Sequence, residues 1–181
     1  SLGGENSISS FTTNCTQVCS PAFSGKSCAK IILVNIFPVG REDLKKRAYV
    51  ILDDQSSRTL AKSSFFDKFG IKGQEISYTL SSCCGSAMVS GRQAFDFVVS
   101  SIQSGEQIHL PSIIECDDIP VSYEEIPTPA VVKPYKHLSD LESEIPPIDY
   151  KAEVILIGRD VPSAHHVLEQ KIDKPNLPFA Q

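Results

Sequence analysis

Residues Ile31-Ile32-Leu33-Val34-Asn35-Ile36-Phe37 contain a single polar side chain, so the two alternating sets along the run are both apolar. A strand of that kind needs cover on both faces, which makes it a core strand. Pro38 and Gly40 end it. After a charged turn, Arg47-Ala48-Tyr49-Val50-Ile51-Leu52 resumes as a second strand, and the two are predicted to pair antiparallel. The second strand runs without a break into the polar loop Asp53-Asp54-Gln55-Ser56.

Beyond that loop, Leu60, Ala61, Phe65, Phe66 and Phe69 recur at helical spacing, predicting one short helix with Gly70 as its stop. Gln74 to Ser82 and Gln93 to Ser100 are β-type runs on either side of a Gly- and Ser-containing connector, Cys83 to Gly91, and predict a hairpin with a mobile tip. Ile108 to Cys116 is a further strand. Seven of the 12 prolines fall between Pro111 and Pro147 among acidic residues, which predicts an extended surface excursion with a helical turn only at His137 to Glu144. Val154-Ile155-Leu156-Ile157 is the last strand; it ends at Gly158-Arg159-Asp160, and a short amphipathic helix through Ala164, Val167 and Leu168 is expected to follow.

Residues 1–27 are rich in Ser, Thr, Gly and Asn, a composition that cannot offset the entropy of ordering, and read as a flexible arm or linker. Residues 28–181 form one domain, since 181 residues with 41% hydrophobic content support one good core. The net charge of -5, from 22 acidic and 17 basic residues without a basic run, argues against direct nucleic-acid binding. No stretch approaches the roughly 20 apolar residues of a membrane span, and the N-terminus has no signal-peptide pattern. Six cysteines are too sparse for a disulfide framework, so reduced thiols in an intracellular, cytoplasmic chain are expected. Cys15, Cys19 and Cys28 lack the paired spacing of zinc ribbons, Cys83-Cys84 are vicinal, and His165-His166 are expected to face solvent, so no metal site is assigned.

Two signals in this order, a strand delivering Asp53 into a small-residue loop and a later strand delivering Gly158-Arg159-Asp160, with a hairpin between them, resemble the retropepsin-like aspartic peptidases of retroviruses and retrotransposons. The closest resemblance is to the aspartic peptidase domain of BEL/Pao retroelement polyproteins, over roughly residues 28–181. It implies a mainly-β small barrel of acid-protease-half type, with a flap hairpin and a short C-terminal helix. It further implies a homodimer acting on polypeptide with one catalytic aspartate, Asp53, per chain, and no metal or organic cofactor. Gly85 and Gly91 become the tip and hinge of the flap; Gly158, Arg159 and Asp160 become a structural brace, the Arg159 guanidinium supporting the loop from behind. The tail Pro178-Phe179-Ala180-Gln181 looks like the lead into a further family strand, so the domain reads as truncated at its C-terminal end.

In such a dimer two carboxylates a few ångströms apart share one proton, one activating water while the other polarises the scissile carbonyl. This chain departs from the family's Asp-Thr/Ser-Gly at two positions. Asp54, when ionised, accepts but cannot donate the hydrogen bond that the family's hydroxyl makes. Gln55 puts a long side chain where the family has none, and Ser56 offers a hydroxyl one position late. Two functions therefore stand open: an aspartic endopeptidase of a retroelement polyprotein, and a catalytically silent module of the same fold for dimerisation or extended-peptide binding.

Overall fold

The computed structural model describes residues 9–12, 30–82, 84–120, 123–175, 177 and 180. Its strands are β1 (Ser9–Thr12), β2 (Ile31–Pro38), β3 (Lys46–Leu52), β4 (Leu60–Ala61), β5 (Gln74–Ser82), β6 (Gly85–Ser101), β7 (Gln107–Glu115) and β8 (Glu153–Ile157). Six of them close a barrel in the order β6-β2-β3-β8-β4-β7, because β7 returns to pair with β6. The mainly-β barrel expected from the sequence is therefore present. The remaining two strands extend the sheet outward as β1-β5-β6.

The predicted pairing of the first two core strands holds, with Ile31 opposite Ile51 and Ile36 opposite Lys46. Their double-sided apolarity has a simple cause. Val34, Ile36, Ala48 and Val50 point into the barrel beside Ile155, Ile157, Phe97 and Leu110. On the other face, Ile31 and Tyr49 pack under Ile126 and Ala152. That cover comes from the proline-rich excursion, which is more packed than expected: it buries Ile119, Ile126, Val132 and Leu138. It also donates the Asp149 N–H to the Tyr49 hydroxyl at 2.8 Å. It coils into 3-10 turns at Tyr123–Glu125 and Lys136–Ser143, the latter matching the expected turn, and into a short helix, Pro129–Val132, that sequence reading did not anticipate. Pro129 opens that helix, where its missing N–H leaves nothing unsatisfied.

The helix after the aspartyl loop is shorter than its apolar spacing suggests. Leu60 and Ala61 form β4, pairing with both β7 and β8, and α1 spans only Ser63–Lys68. Lys62 is in extended conformation and separates the two elements. Phe65 and Phe66 of α1 are fully buried, and Phe65 meets Phe69 and Phe97 at ring-centroid distances of 4.9 and 5.3 Å, stoppering the barrel with aromatics. Gly70, with φ +63, ends the helix as predicted.

The hairpin also differs from expectation. Residues 85–91, read as connector, are strand: β5 and β6 run in unbroken register from Gln74 opposite Gln93 to Ser82 opposite Gly85. Strand β6 is 17 residues long, and its first half belongs to the hairpin while its second half belongs to the barrel. The expected C-terminal helix reduces to a 3-10 turn, Pro162–His165; Val167 and Leu168 lie beyond it and are exposed. Within the arm expected to be unstructured, Ser9–Thr12 forms β1 and pairs parallel with β5. The rest of residues 1–27, together with Cys28, Cys83 and most of the Pro178–Gln181 tail, lies outside the described residues.

An ionic cluster fixes the hairpin root to the barrel. Arg92 donates through Nε and Nη2 to the two oxygens of Glu115 at 2.9 and 2.8 Å, and through Nη1 to Asp67 and the Ile71 carbonyl. The guanidinium also stacks over the Phe66 ring at 5.2 Å. These bonds hold the Glu115 carboxyl below its usual range, although burial pushes it the other way. A carboxyl whose pKa is lower when folded stabilises the fold above its unfolded value of about 4.3, and the contribution is lost as pH falls through the folded value. Chemical denaturation of Glu115→Gln is therefore expected to show lower stability than the parent at pH 7 and a smaller further loss between pH 7 and pH 3. An unchanged pH dependence would mean the pair does not carry the acid sensitivity.

Candidate active site

The aspartyl loop is positioned by β8, which lies between β3 and β4. It runs parallel to β3, with Leu52 opposite Ile157, and antiparallel to β4, with Leu60 opposite Leu156. The chain leaving β3 must therefore pass around the end of β8 to reach β4, and residues 53–59 make that passage. The Asp53 N–H extends the β3–β8 ladder by one bond, to the Ile157 carbonyl at 3.1 Å. From there the loop turns sharply: the Gln55 N–H donates to Asp53 Oδ1 at 2.9 Å and the Ser56 N–H to the Asp53 carbonyl at 3.2 Å. The first of these is an Asx-type turn, which a short carboxylate side chain makes naturally.

Asp53 is half-buried, whereas Asp54 and Gln55 are exposed. Both departures from the family pattern thus point their side chains outward from this chain. Ser56 is buried, and its hydroxyl donates to the Arg58 carbonyl at 2.8 Å. It is turned into its own loop and is not presented as a late substitute for the family's donor.

Gly158 follows directly where β8 ends. A Cβ placed on it would stand 2.5 Å from the Arg58 carbonyl oxygen and 2.7 Å from the carbonyl carbon, so the two backbones approach more closely than any side chain permits. The neighbouring residues lock the crossing. Asp160 accepts from the Thr59 N–H at 3.0 Å and from the Thr59 hydroxyl at 2.8 Å, and the Arg159 N–H donates to the Ser56 carbonyl at 2.9 Å. The Asp160 carboxylate and the Arg159 N–H thus hold the loop at Thr59 and Ser56. The Arg159 side chain is exposed and, among the described residues, makes no hydrogen bond or ion pair with the loop, unlike the expected guanidinium brace.

Sequence reading missed two contributors. Thr59 is fully buried, and a buried hydroxyl needs a partner; its place directly before the Leu60-Ala61 strand was the available signal. His165 was expected to face solvent, but it is partly buried, and its Nε2 lies 2.9 Å from the Gly158 carbonyl oxygen, a bond formed when Nε2 carries the proton. His166 is exposed.

The two glycines assigned to the hairpin have different roles. Gly85 has φ +130 and sits at the tip with open space around it, beside the exposed Cys84. Gly91 is buried at the root, where a Cβ would be 2.7 Å from the Glu115 carbonyl oxygen. Its absent side chain is required by close packing, and that is the physical reason for a glycine there rather than a hinge. Above it, Ile76, Tyr78, Leu80 and Val89 of the hairpin join one apolar cluster with Leu60, Leu156 and Ile51, the residues bordering the aspartyl loop. The hairpin therefore stands on the strands that carry Asp53.

A recess of about 250 Å³ opens at the hairpin root, lined by Val89, Gly91, Arg92, Glu115 and Asp117 among others, and a second of about 200 Å³ lies between Tyr123 and Tyr150. Neither wall includes a residue of the aspartyl loop. Among the described residues no cluster of three or more His, Cys, Asp or Glu is placed to hold a metal ion, and no helix is long and apolar enough to cross a membrane. No protein-family model, curated protein or solved structure matches the chain.

The crossing of Gly158 over Arg58 yields a direct test. Gly158→Ala must displace backbone and is expected to destabilise the fold by about 1–3 kcal/mol, the usual range for overpacking a tight site. Asp160→Ala strands the buried Thr59 hydroxyl and amide and is expected to cost about 1–3 kcal/mol as well. Both are read from urea midpoints at constant slope, and an unchanged midpoint for either variant would remove that residue from the brace.

Proposed function

We propose that this chain is one half of a retropepsin-type aspartic endopeptidase, active as a two-fold homodimer on an extended polypeptide, with Asp53 as its catalytic carboxylate. The observation that carries the reading is the insertion of β8 between β3 and β4, which leaves Asp53 half-buried at a strand end beside a glycine that admits no side chain. Such a placement holds a carboxylate by backbone alone. One oxygen accepts from Gln55 N–H, and the other has no protein partner among the described residues. A single carboxylate cannot share a proton; a second copy related by two-fold symmetry supplies the partner. One of the two then stays ionised and activates water, and the other, protonated, polarises the carbonyl of the peptide. In this reading the β5–β6 hairpin is the flap, rooted on the same apolar cluster as the loop.

A second reading, the silent scaffold, is favoured by a specific feature. The Ser56 hydroxyl is engaged within its own loop and Asp54 offers no donor, so the hydrogen bond that would knit two such loops across the axis has no obvious source. In that case the module binds an extended peptide without cutting it.

The deciding experiment incubates the purified chain with a diverse peptide library between about pH 4 and 7, the range in which a proton-sharing aspartate pair acts, beside Asp53→Asn. Cleavage by the parent that is abolished in the variant is the expected result. A folded dimer that cleaves nothing selects the silent scaffold, and cleavage that survives Asp53→Asn removes Asp53 from the chemistry. If the Asp54→Thr, Gln55→Gly double variant gains activity that the parent lacks, the natural loop is a disabled one.

A further inference from the structure

We infer that the outer edge of β5 is an acceptor for an extended polypeptide strand, and that the chain's own segment Ser9–Thr12 is its built-in competitor. The inference rests on strand pairing alone and holds whether or not Asp53 cleaves anything.

Strand β5 has nine residues, paired along their full length with β6 on one side. On its other side, among the described residues, only β1 pairs with it, from Ser9 opposite Tyr78 to Thr12 opposite Ser81. Without β1, this edge would present a row of free backbone donors and acceptors. Exposed edges in soluble proteins normally carry a lysine, a proline, a bulge or a very short strand to discourage pairing. The sequence Gln74-Glu75-Ile76-Ser77-Tyr78-Thr79-Leu80-Ser81-Ser82 has no lysine or proline, its register is continuous, and its single charge, Glu75, lies outside the part that β1 covers. Such a regular Ser- and Thr-rich edge is suited to accepting a strand, by main-chain bonds that ask little of the incoming sequence.

The occupant has the character of a displaceable ligand. It pairs over four residues, Ser-Ser-Phe-Thr, and the barrel closes without it. Eighteen residues, 13–30, separate it from β2. A tether of that order holds its end near the site at roughly millimolar effective concentration. A peptide that would bind the free edge at about 0.1 mM is then held off about tenfold, while a longer or better-matched strand displaces the segment. A peptide carrying the β1 sequence is expected to pair parallel to β5, as β1 does.

The test uses the full chain. Ser10→Pro with Phe11→Pro removes adjacent N–H donors from β1 and leaves the barrel residues untouched. The probe is a fluorescent peptide of residues 7–14, Ser-Ile-Ser-Ser-Phe-Thr-Thr-Asn, followed by anisotropy, with the same peptide carrying the two prolines as control. The double variant is expected to bind the probe about tenfold more tightly than the parent and to ignore the control peptide. Amide exchange at residues 78–81 is expected to speed up in the variant and to slow again when the probe is added. Equal binding by parent and variant, or no binding by a variant whose circular dichroism retains the barrel, overturns the inference. A parent that is dimeric by size-exclusion chromatography, and that the two prolines convert to monomer, overturns the intramolecular competitor in favour of strand exchange between copies.

Discussion

The passage of the β3–β4 connection around the end of β8 holds the barrel together. At that point Gly158 lies against the backbone of Arg58 with no room for a methyl group, and the Asp160 carboxylate bridges the amide and hydroxyl of Thr59. Two chain segments about a hundred residues apart are joined there by hydrogen bonds that water cannot replace, because Thr59 and Gly158 are buried. Barrel closure requires this junction: β8 supplies the seam between β3 and β4, and β4 in turn bridges to β7. The geometry of Asp53 is a by-product of the same passage, since its N–H is the last rung of the β3–β8 ladder.

A second dependence runs through β6. Because one continuous strand is both hairpin arm and barrel stave, the hairpin is oriented by the barrel rather than by its own turn. The Arg92–Glu115 pair and the missing side chain of Gly91 sit where the two roles meet, and each draws β6 onto the end of β7. The hairpin's apolar face then closes over Leu60, Leu156 and Ile51. Along its outer edge, among the described residues, β1 pairs with it.

Much of this was legible. The two-sided apolar runs at 31–37 and 154–157 located core strands because burial on both faces leaves a continuous apolar signature. Gly70 and Pro38 marked element ends for equally local reasons. The errors share one cause. Leu60 and Ala61 carry the spacing of a helix but form a strand, because pairing with both β7 and β8 outweighs local periodicity over so short a stretch. Residues 85–91 look like a flexible connector by composition, yet they pair in register with β5, since small residues do not prevent a ladder when a partner strand is adjacent. Val167 and Leu168 appear amphipathic but have no surface to cover, and they remain exposed.

Strand periodicity and turn residues act over a few positions, so the mainly-β character, Asp53 at the end of an apolar strand and a Gly-Arg-Asp segment at the end of another could be read locally. Which side chains brace the loop emerges only from the folded chain. Asp160 rather than the Arg159 guanidinium reaches Thr59, a bond across 101 residues that depends on the parallel register of β3 on β8. Register between strands about a hundred residues apart is set by the packing of the whole barrel, and no local pattern encodes it.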